Sequence, residues 1–457
     1  MNDTHFDAVV VGSGFGGSVM AYRLAQANLR VCLLERGKTY PPNAFPRSPY
    51  RMKSNFWNPS AGLYGMFNIW SFQGINAVVS SGLGGGSLIY ANVMLRKDEK
   101  TFVTEDLSNG GYEYWPVTRA DLDRHYDTVE QMQNAQVYPF DQPPYNQTRK
   151  TIALREAAEK LHMAWSLPKL AVTFHNEGEP PVPGEPIREE YLNIHKRTRS
   201  TCRLCGECDL GCNYGSKNTL DYTYLSAADR LGALIRTSCE VRSFEPREGG
   251  GYAIHYVEHD LSREGQRQDT HSPTVLPLQT ITADRLILSA GTFGTTFLLL
   301  KNRGAFPAIS PLLGTRFSGN GDLVNFAANC NDKSNGQRVP RPIESSYGPV
   351  ITSTITFPDA LDGGEGRGFY IQDGGYPDSI DWMLQVFDSP LQTKEAVHVA
   401  TRLVKEWLHR NEETDLSGTI SELFGTSELS SSLFLMLGMG RDIPNGRMTL
   451  HDGMLYL

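Results

Sequence analysis

Apolar residues at the start of the chain fall in runs rather than in helical stripes. Phe6-Asp7-Ala8-Val9-Val10-Val11 is a short β-branched run that meets the turn Gly12-Ser13-Gly14-Phe15-Gly16-Gly17, and Ser18 to Ala27, rich in helix formers, predicts a helix directly after it. Arg30-Val31-Cys32-Leu33-Leu34 reads as a second buried strand that closes on Glu35. Strand, turn, helix and strand in this order predict the βαβ opening of a parallel sheet. Farther on, Thr118-x-x-Asp121 predicts a capping box ahead of a helix reaching Met132. Arg447 to His451 and Met454 to Leu457 predict a β-hairpin around Asp452-Gly453. Pro180-Pro181-Val182-Pro183-Gly184 and residues 362–368 predict surface connections. No internal repeat of useful period is present.

The glycines carry chemistry as well as turns. Gly12 bends the chain, Gly14 lets backbone N–H groups approach a pyrophosphate, and Gly17 lets helix and strand pack closely, with Phe15 and Gly16 completing the turn. The helix that follows offers the positive end of its dipole. Glu35, roughly 20 residues on, stands where an acid accepts hydrogen bonds from ribose hydroxyls. A second cluster, Gly82-Leu83-Gly84-Gly85-Gly86-Ser87, leads into Leu88 to Met94 with Asn92 among them. A nicotinamide dinucleotide does not ask for two such bends. A flavin dinucleotide laid extended through a domain needs close backbone approach at its pyrophosphate and at its ring system, and Asn92 offers a hydrogen bond near the ring. FAD is therefore the expected cofactor, with an NAD-linked dehydrogenase as the competing reading.

Composition narrows the partners. The chain has 457 residues, enough for two to three domains at roughly 150 residues each. Lys plus Arg number 43 against 51 Asp plus Glu, a net charge of −8 without long blocks of either sign, which argues against nucleic acid. The longest apolar run, near Leu433 to Leu437, is far shorter than a bilayer span, and Met1 to His5 lacks the basic and apolar regions of a signal peptide. A cytoplasmic protein is the expectation.

Several of these residues together resemble the glucose-methanol-choline (GMC) oxidoreductases. The resemblance rests on Gly12-x-Gly14-x-x-Gly17, Glu35-Arg36-Gly37, the loop Gly82 to Ser87 with Asn92, Trp115-Pro116, and Ile287-Leu288-Ser289-Ala290-Gly291. Phe317 to Asp322 and Gly438 to Asp442 are similar to the cholesterol-oxidase-like branch, and Val241 falls where the family sets a valine backbone against adenine. The resemblance implies an α/β fold: a Rossmann-like FAD-binding domain with a second α+β substrate domain built on an antiparallel sheet. The expected boundaries are 1–115 and 200–325 for the FAD domain, and 116–199 and 326–457 for the substrate domain. The implied FAD contacts are Gly12, Gly14, Phe15, Gly16, Gly17, Glu35, Arg36, Gly82, Gly84, Gly85, Gly86, Ser87, Asn92, Val241, Ala290 and Gly291. The implied activity is oxidation of the CH–OH group of an apolar alcohol, with a sterol as candidate, by hydride transfer to flavin and with O2 or a redox partner as acceptor. That would place the protein in steroid or lipid metabolism. The alternatives are a long-chain alcohol or sugar dehydrogenase passing electrons to an iron–sulfur cluster, and an inactive flavin- or metal-binding protein.

Four of seven cysteines crowd into Cys202-x-x-Cys205-x-x-Cys208-x-x-x-Cys212, the spacing of a bacterial ferredoxin loop, with Asn213 where proline usually follows. In two-cluster ferredoxins the fourth cysteine serves the other cluster, and no second run exists here. The spacing leaves open an iron–sulfur cluster, a structural zinc or disulfide, and plain thiols. Lys217, just beyond, reads as a solvated residue at a helix start.

Flavin-dependent alcohol oxidation needs a positioned base, most naturally a histidine. In the family resembled, that histidine lies in a C-terminal His-Pro-x-Gly segment. None of the eleven histidines here precedes proline, so the catalytic residue is unassigned and the chain is expected to be C-terminally truncated. Between Tyr40 and Phe72 lie Phe45, Tyr50, Phe56, Trp57, Tyr64, Phe67 and Trp70. This density predicts either ordinary packing on the flavin domain or a lid over a bulky apolar alcohol that also touches membrane.

Overall fold

The computed structural model describes residues 4–47, 49–99, 102–105, 112–334, 336–358, 368–377, 432–440 and 442–457. His398 and His409 lie outside the described residues, as do residues 362–367 of the glycine-rich connection.

Two sheets organise the chain. In the first, His5–Val11 lies between Val31–Leu34 and Gln279–Leu288, parallel to both, and Leu234–Arg236 extends the parallel set beyond Val31–Leu34. Tyr252–Glu258 and Cys239–Pro246 continue the other edge as antiparallel strands, giving six in all. Side-chain alternation divides the first strand between two cores. Val9 and Val11 join Leu34, Phe244 and Leu298 on one face, while Val10 joins Ala21, Leu33, Leu225 and Ala228 on the other. A strand covered on both faces has to be apolar throughout, which is why this one reads as a run.

The first helix, α1, spans Phe15–Gln26 and buries Gly17, Ser18, Ala21 and Ala25. Small residues on that face let it sit close to the sheet. The helix Gly291–Lys301 covers the opposite core through Leu298.

The second sheet is antiparallel, in the order Ala164–Ser166, Thr354–Phe357, Phe369–Asp373, Phe434–Met439 and Asp322–Ala327. The helix Arg149–Leu161 packs Ala153, Leu154 and Ala158 against Ile355 and Phe434 on it. An α/β architecture with a Rossmann-like sheet and a second, antiparallel sheet is thus the observed fold class. The capping box at Thr118–Asp121 forms at the start of Arg119–Met132, and the hairpin Thr449–His451 with Met454–Tyr456 turns at Asp452-Gly453.

The aromatic segment is mainly packing. Tyr40 and Phe45 stack at 5.0 Å between centroids and join Met66 and Leu88 in a small core, whereas Trp70 and Phe72 lie on Phe293 at 5.7 and 5.2 Å. Among the described residues no helix is long and apolar enough to cross a membrane.

Candidate functional site

The first glycine bend joins the central strand to α1. Gly12 has φ +95°, and a Cβ there would lie 2.4 Å from the Ser289 carbonyl oxygen; a Cβ on Gly17 would lie 1.9 Å from that of Gly12. Both glycines are demanded by backbone packing. Gly14 differs: its φ of −67° suits any residue, and nothing stands within 4 Å of where its Cβ would be. It precedes a helix with no acidic residue in its first turn and no side-chain cap. The first N–H groups of α1 are therefore left for an outside acceptor, and the dipole favours an anionic one.

The second bend lies directly on the first. Gly84 and Gly85 have φ of +108° and +54°, and a Cβ on Gly85 would come 2.6 Å from the Gly14 Cα. The Ser13 hydroxyl accepts from Gly84 N–H at 3.0 Å and donates to Glu35 Oε2 at 2.6 Å. Glu35 Oε2 also accepts from Ser13 N–H at 3.0 Å, and Oε1 accepts from Gly37 N–H at 2.8 Å. One buried carboxylate at the end of its strand thus braces both bends. Gly82 is packed under Tyr40 and Leu88, a Cβ on Gly86 would face the Phe15 ring, and the Ser87 hydroxyl donates to Gly84 O and accepts from Leu220 N–H.

Three further segments close this corner. Ser289 and Ala290 abut Gly12, Gly16 and Gly17, and Gly291, with φ +76°, starts a second helix there. Cys239 N–H donates to Glu35 O at 2.8 Å, which brings buried Val241 alongside the end of the Glu35 strand. The Arg36 guanidinium lies over Trp57 at 5.4 Å.

Asn92 is the odd residue of the second loop. It is wholly buried at φ +70°, its carbonyl accepts from Ala171 N–H, and neither its Nδ2 nor its Oδ1 has a partner among the described residues. An unpaired buried amide group costs about 1–3 kcal/mol. The Phe15 ring, 46% exposed and edge-on to Tyr90 at 5.5 Å, is a second unexpected feature, an aromatic ring left open at the first turn of α1.

The cysteine loop sits behind the second bend. Cys202, Cys205, Cys208 and Cys212 line one cavity together with Tyr214, Lys217, Gly348 and Pro349. All four are free thiols, and burial pushes those of Cys202 and Cys208 up from the usual thiol range. Among the described residues no three Cys, His, Asp or Glu side chains converge to hold a metal ion. No disulfide joins any two of the four. Lys217 is also not solvated. It is 1% exposed, and its Nζ donates to Leu88 O at 3.2 Å, Tyr90 O at 2.6 Å and Cys208 O at 2.9 Å, tying the cysteine loop to the loop of Asn92.

A profile of the NAD(P)-binding Rossmann-like domain matches residues 10–47. The cholesterol oxidase of Mycobacterium tuberculosis is 30% identical over 356 residues, 77% of this chain and 56% of that protein. For the cholesterol oxidase of Acinetobacter baumannii the identity is 28% over 364 residues, 78% of this chain and 62% of that one. A GMC-type oxidoreductase of M. tuberculosis is 26% identical over 302 residues, 65% and 39% of the two chains. The chain is similar to GMC-type oxidoreductases and, over about three quarters of its length, to cholesterol oxidases. It spans little more than half the length of the cholesterol oxidases it matches.

FAD is the cofactor that goes with the GMC family, and the residues present fit it. Gly14 leaves a cradle open beside unpaired helix N–H groups, and Asn92 presents a buried amide without a partner. Sequence reasoning missed Ser13, which ties the two bends together, and Ser289, which packs on the first, and misjudged Lys217. The signal for Lys217 was its place directly after the cysteine loop. Asn92→Gly tests the fit of the amide: glycine tolerates the positive φ, so the flavin-free protein should keep or slightly gain stability, while flavin affinity falls at least roughly tenfold, about 1.4 kcal/mol. Thermal unfolding and a flavin titration check the two halves separately.

Proposed function

We propose that the protein is an FAD-dependent oxidoreductase that oxidises the CH–OH carbon of an apolar alcohol, a sterol in the first instance. The observation that carries this reading is the direct contact of the two glycine bends at Gly14 and Gly85 beside an open Gly14 face. When bound, FAD supplies the hydride acceptor. Glu35 would take the ribose hydroxyls with its remaining lone pairs, the first N–H groups of α1 the pyrophosphate, Val241 the adenine edge, and Asn92 a polar edge of the ring. Gly82 to Ser87 would let backbone approach where a side chain would block it.

The proton acceptor is not assigned. Two buried histidines already have carboxylate partners: His195 Nε2 lies 2.6 Å from Asp221 Oδ2, and His259 Nε2 lies 2.8 Å from Glu240 Oε2. Both serve as structural braces. The choice of a sterol is supported by the names of the two cholesterol oxidases and by an apolar surface near the site. Ile69 and Val78 form a cross-strand pair, each about half exposed, on the face of their hairpin opposite Trp70. That face is suited to touch the lipid surface from which a sterol would be taken.

The test is anaerobic reduction of the flavin in the purified protein. Cholesterol in micelles should bleach the flavin absorbance, whereas short primary alcohols should leave it unchanged. Bleaching by the short alcohols without bleaching by sterol would contradict the apolar-substrate reading.

A further inference from the structure

We infer that Lys217 is a fixed positive charge that makes the flavin ring easier to reduce, an inference that rests on the flavin reading above. It starts from a contrast between two interior lysines. Lys150 has a carboxylate, that of Asp373, at 3.4 Å, with both side chains wholly buried. Lys217 is buried almost as deeply, at 1% exposed, yet its Nζ is bonded by carbonyl groups alone, those of Leu88, Tyr90 and Cys208. Asp209 and Asp221 are the acids whose charge reaches it, and neither is bonded to it. Asp221 is engaged elsewhere, with His195 Nε2 at 2.6 Å and with the Thr219 hydroxyl.

Carbonyl dipoles solvate an ammonium without cancelling its charge. Burial pulls the lysine's pKa down to about 8, so the group is still a cation at neutral pH. A buried ion without a bonded counter-ion is costly, and interior charges are paired as a rule. The exception has a use if a negative charge develops beside it during the reaction.

The direction of the side chain says where. The Lys217 backbone is bridged to Val172 and its carbonyl accepts from Arg199 Nη2 at 3.5 Å, so the residue is pinned while its ammonium crosses to the second bend. Leu88 closes the turn Gly85–Leu88, and Tyr90 stands two residues before Asn92. The ammonium also lies 4.8 Å from the centre of the Tyr90 ring, on which Phe15 of α1 stands edge-on. The charge is thus built into the loop that carries the unpaired Asn92 amide, the group proposed to meet the ring.

Hydride leaving the alcohol carbon brings two electrons and one proton to a neutral oxidised ring. The hydroxyl proton departs separately, the alcohol becomes a carbonyl compound, and the reduced ring keeps one negative charge. A fixed cation in a dry interior favours that anion, because Coulomb energies there are large and weakly screened. Charge beside the ring is one of the protein's means of tuning a flavin.

Two probes read this without turnover, in the whole flavin-loaded protein. One is the midpoint potential from spectroelectrochemistry, and the other is the Kd for sulfite, whose addition to the oxidised ring also leaves a negative charge there. Wild-type protein should bind sulfite more tightly than free FAD does. Lys217→Gln keeps an N–H donor for the carbonyl groups but removes the charge, so the sulfite Kd should rise at least roughly tenfold and the potential should fall by about 30 mV, the same factor for a two-electron couple. Lys217→Arg should hold both near the wild-type values. Unchanged values in Lys217→Gln, or an equal loss in Lys217→Arg, would show that Lys217 only holds the loop in place. Sulfite binding by the wild type no tighter than by free FAD would overturn the proposal even if the variants failed to fold. A wild-type protein that retains no flavin would overturn the flavin reading itself, whereas retained flavin with unmoved values overturns only the role of Lys217.

Discussion

Gly14→Val is expected to reduce FAD affinity on the order of 100-fold, about 2.7 kcal/mol, while the flavin-free protein melts at an unchanged temperature. The reason lies in what surrounds each glycine of the first bend. No atom stands within 4 Å of a Cβ on Gly14, and its backbone is already in a region open to all residues, so valine would fill only the open space proposed for the pyrophosphate. Gly17→Val should behave in the opposite manner. Its Cβ would sit 1.9 Å from the Gly12 carbonyl oxygen, so the helix has to move away from the strand, at a cost above the roughly 1–3 kcal/mol of ordinary overpacking. A calorimetric scan of both flavin-free variants with a flavin titration checks the contrast. Equal loss of stability in the two would show that the Gly14 side of the bend is not a ligand cradle.

The largest stability effect is expected at Lys150. Its ammonium and the Asp373 carboxylate are 3.4 Å apart and both wholly buried. Lys150 Nζ also donates to Pro349 O at 2.7 Å and Val350 O at 2.8 Å, and Asp373 accepts from the N–H groups of Thr352 and Ser353 and from the hydroxyls of Thr151, Thr352 and Ser353. Burial pulls the lysine's pKa down, and Asp373 acts against that pull. Lys150→Met leaves a buried carboxylate without its cation and two carbonyl groups without donors, so a loss of about 3–5 kcal/mol is expected. Adding Asp373→Asn should cost much less than its effect in the wild-type background, because the charge that Lys150 neutralised is then gone. Urea unfolding of the single and double variants measures both. A loss below about 1 kcal/mol in Lys150→Met would mean that the pair does not hold the helix Arg149–Leu161 to the second sheet.

The features legible in the sequence were those whose cause is local. The run Phe6 to Val11, the helix after Gly17 and the strand ending at Glu35 each follow from neighbouring residues, because a strand buried on both faces must be apolar and a tight turn must be glycine. The capping box at Thr118 and the hairpin at Asp452-Gly453 are equally local. What escaped depends on contacts between distant segments. Lys217 looks like any lysine at a helix start, and only the approach of Leu88 and Tyr90, well over a hundred residues earlier, adds two carbonyl partners to that of Cys208 and makes burial tolerable. Nothing near Lys150 or Asp373 announces a buried pair, since the network forms only when the helix meets the end of the sheet's central strand. The cysteine spacing gave the candidates for a site but could not choose among them, because the choice turns on the distant segments, such as Gly348 and Pro349, that close the cavity around the four thiols.

The central claim is that two touching glycine bends hold a flavin dinucleotide in extended form. The most direct measurement is the identity and amount of the small molecule released when the protein, purified without added cofactor or after reconstitution, is denatured and the supernatant is resolved by mass spectrometry. One FAD per chain is the expected result, falling sharply in Gly14→Val. Release of a nicotinamide dinucleotide in its place, or failure to retain any dinucleotide after reconstitution, would contradict the account.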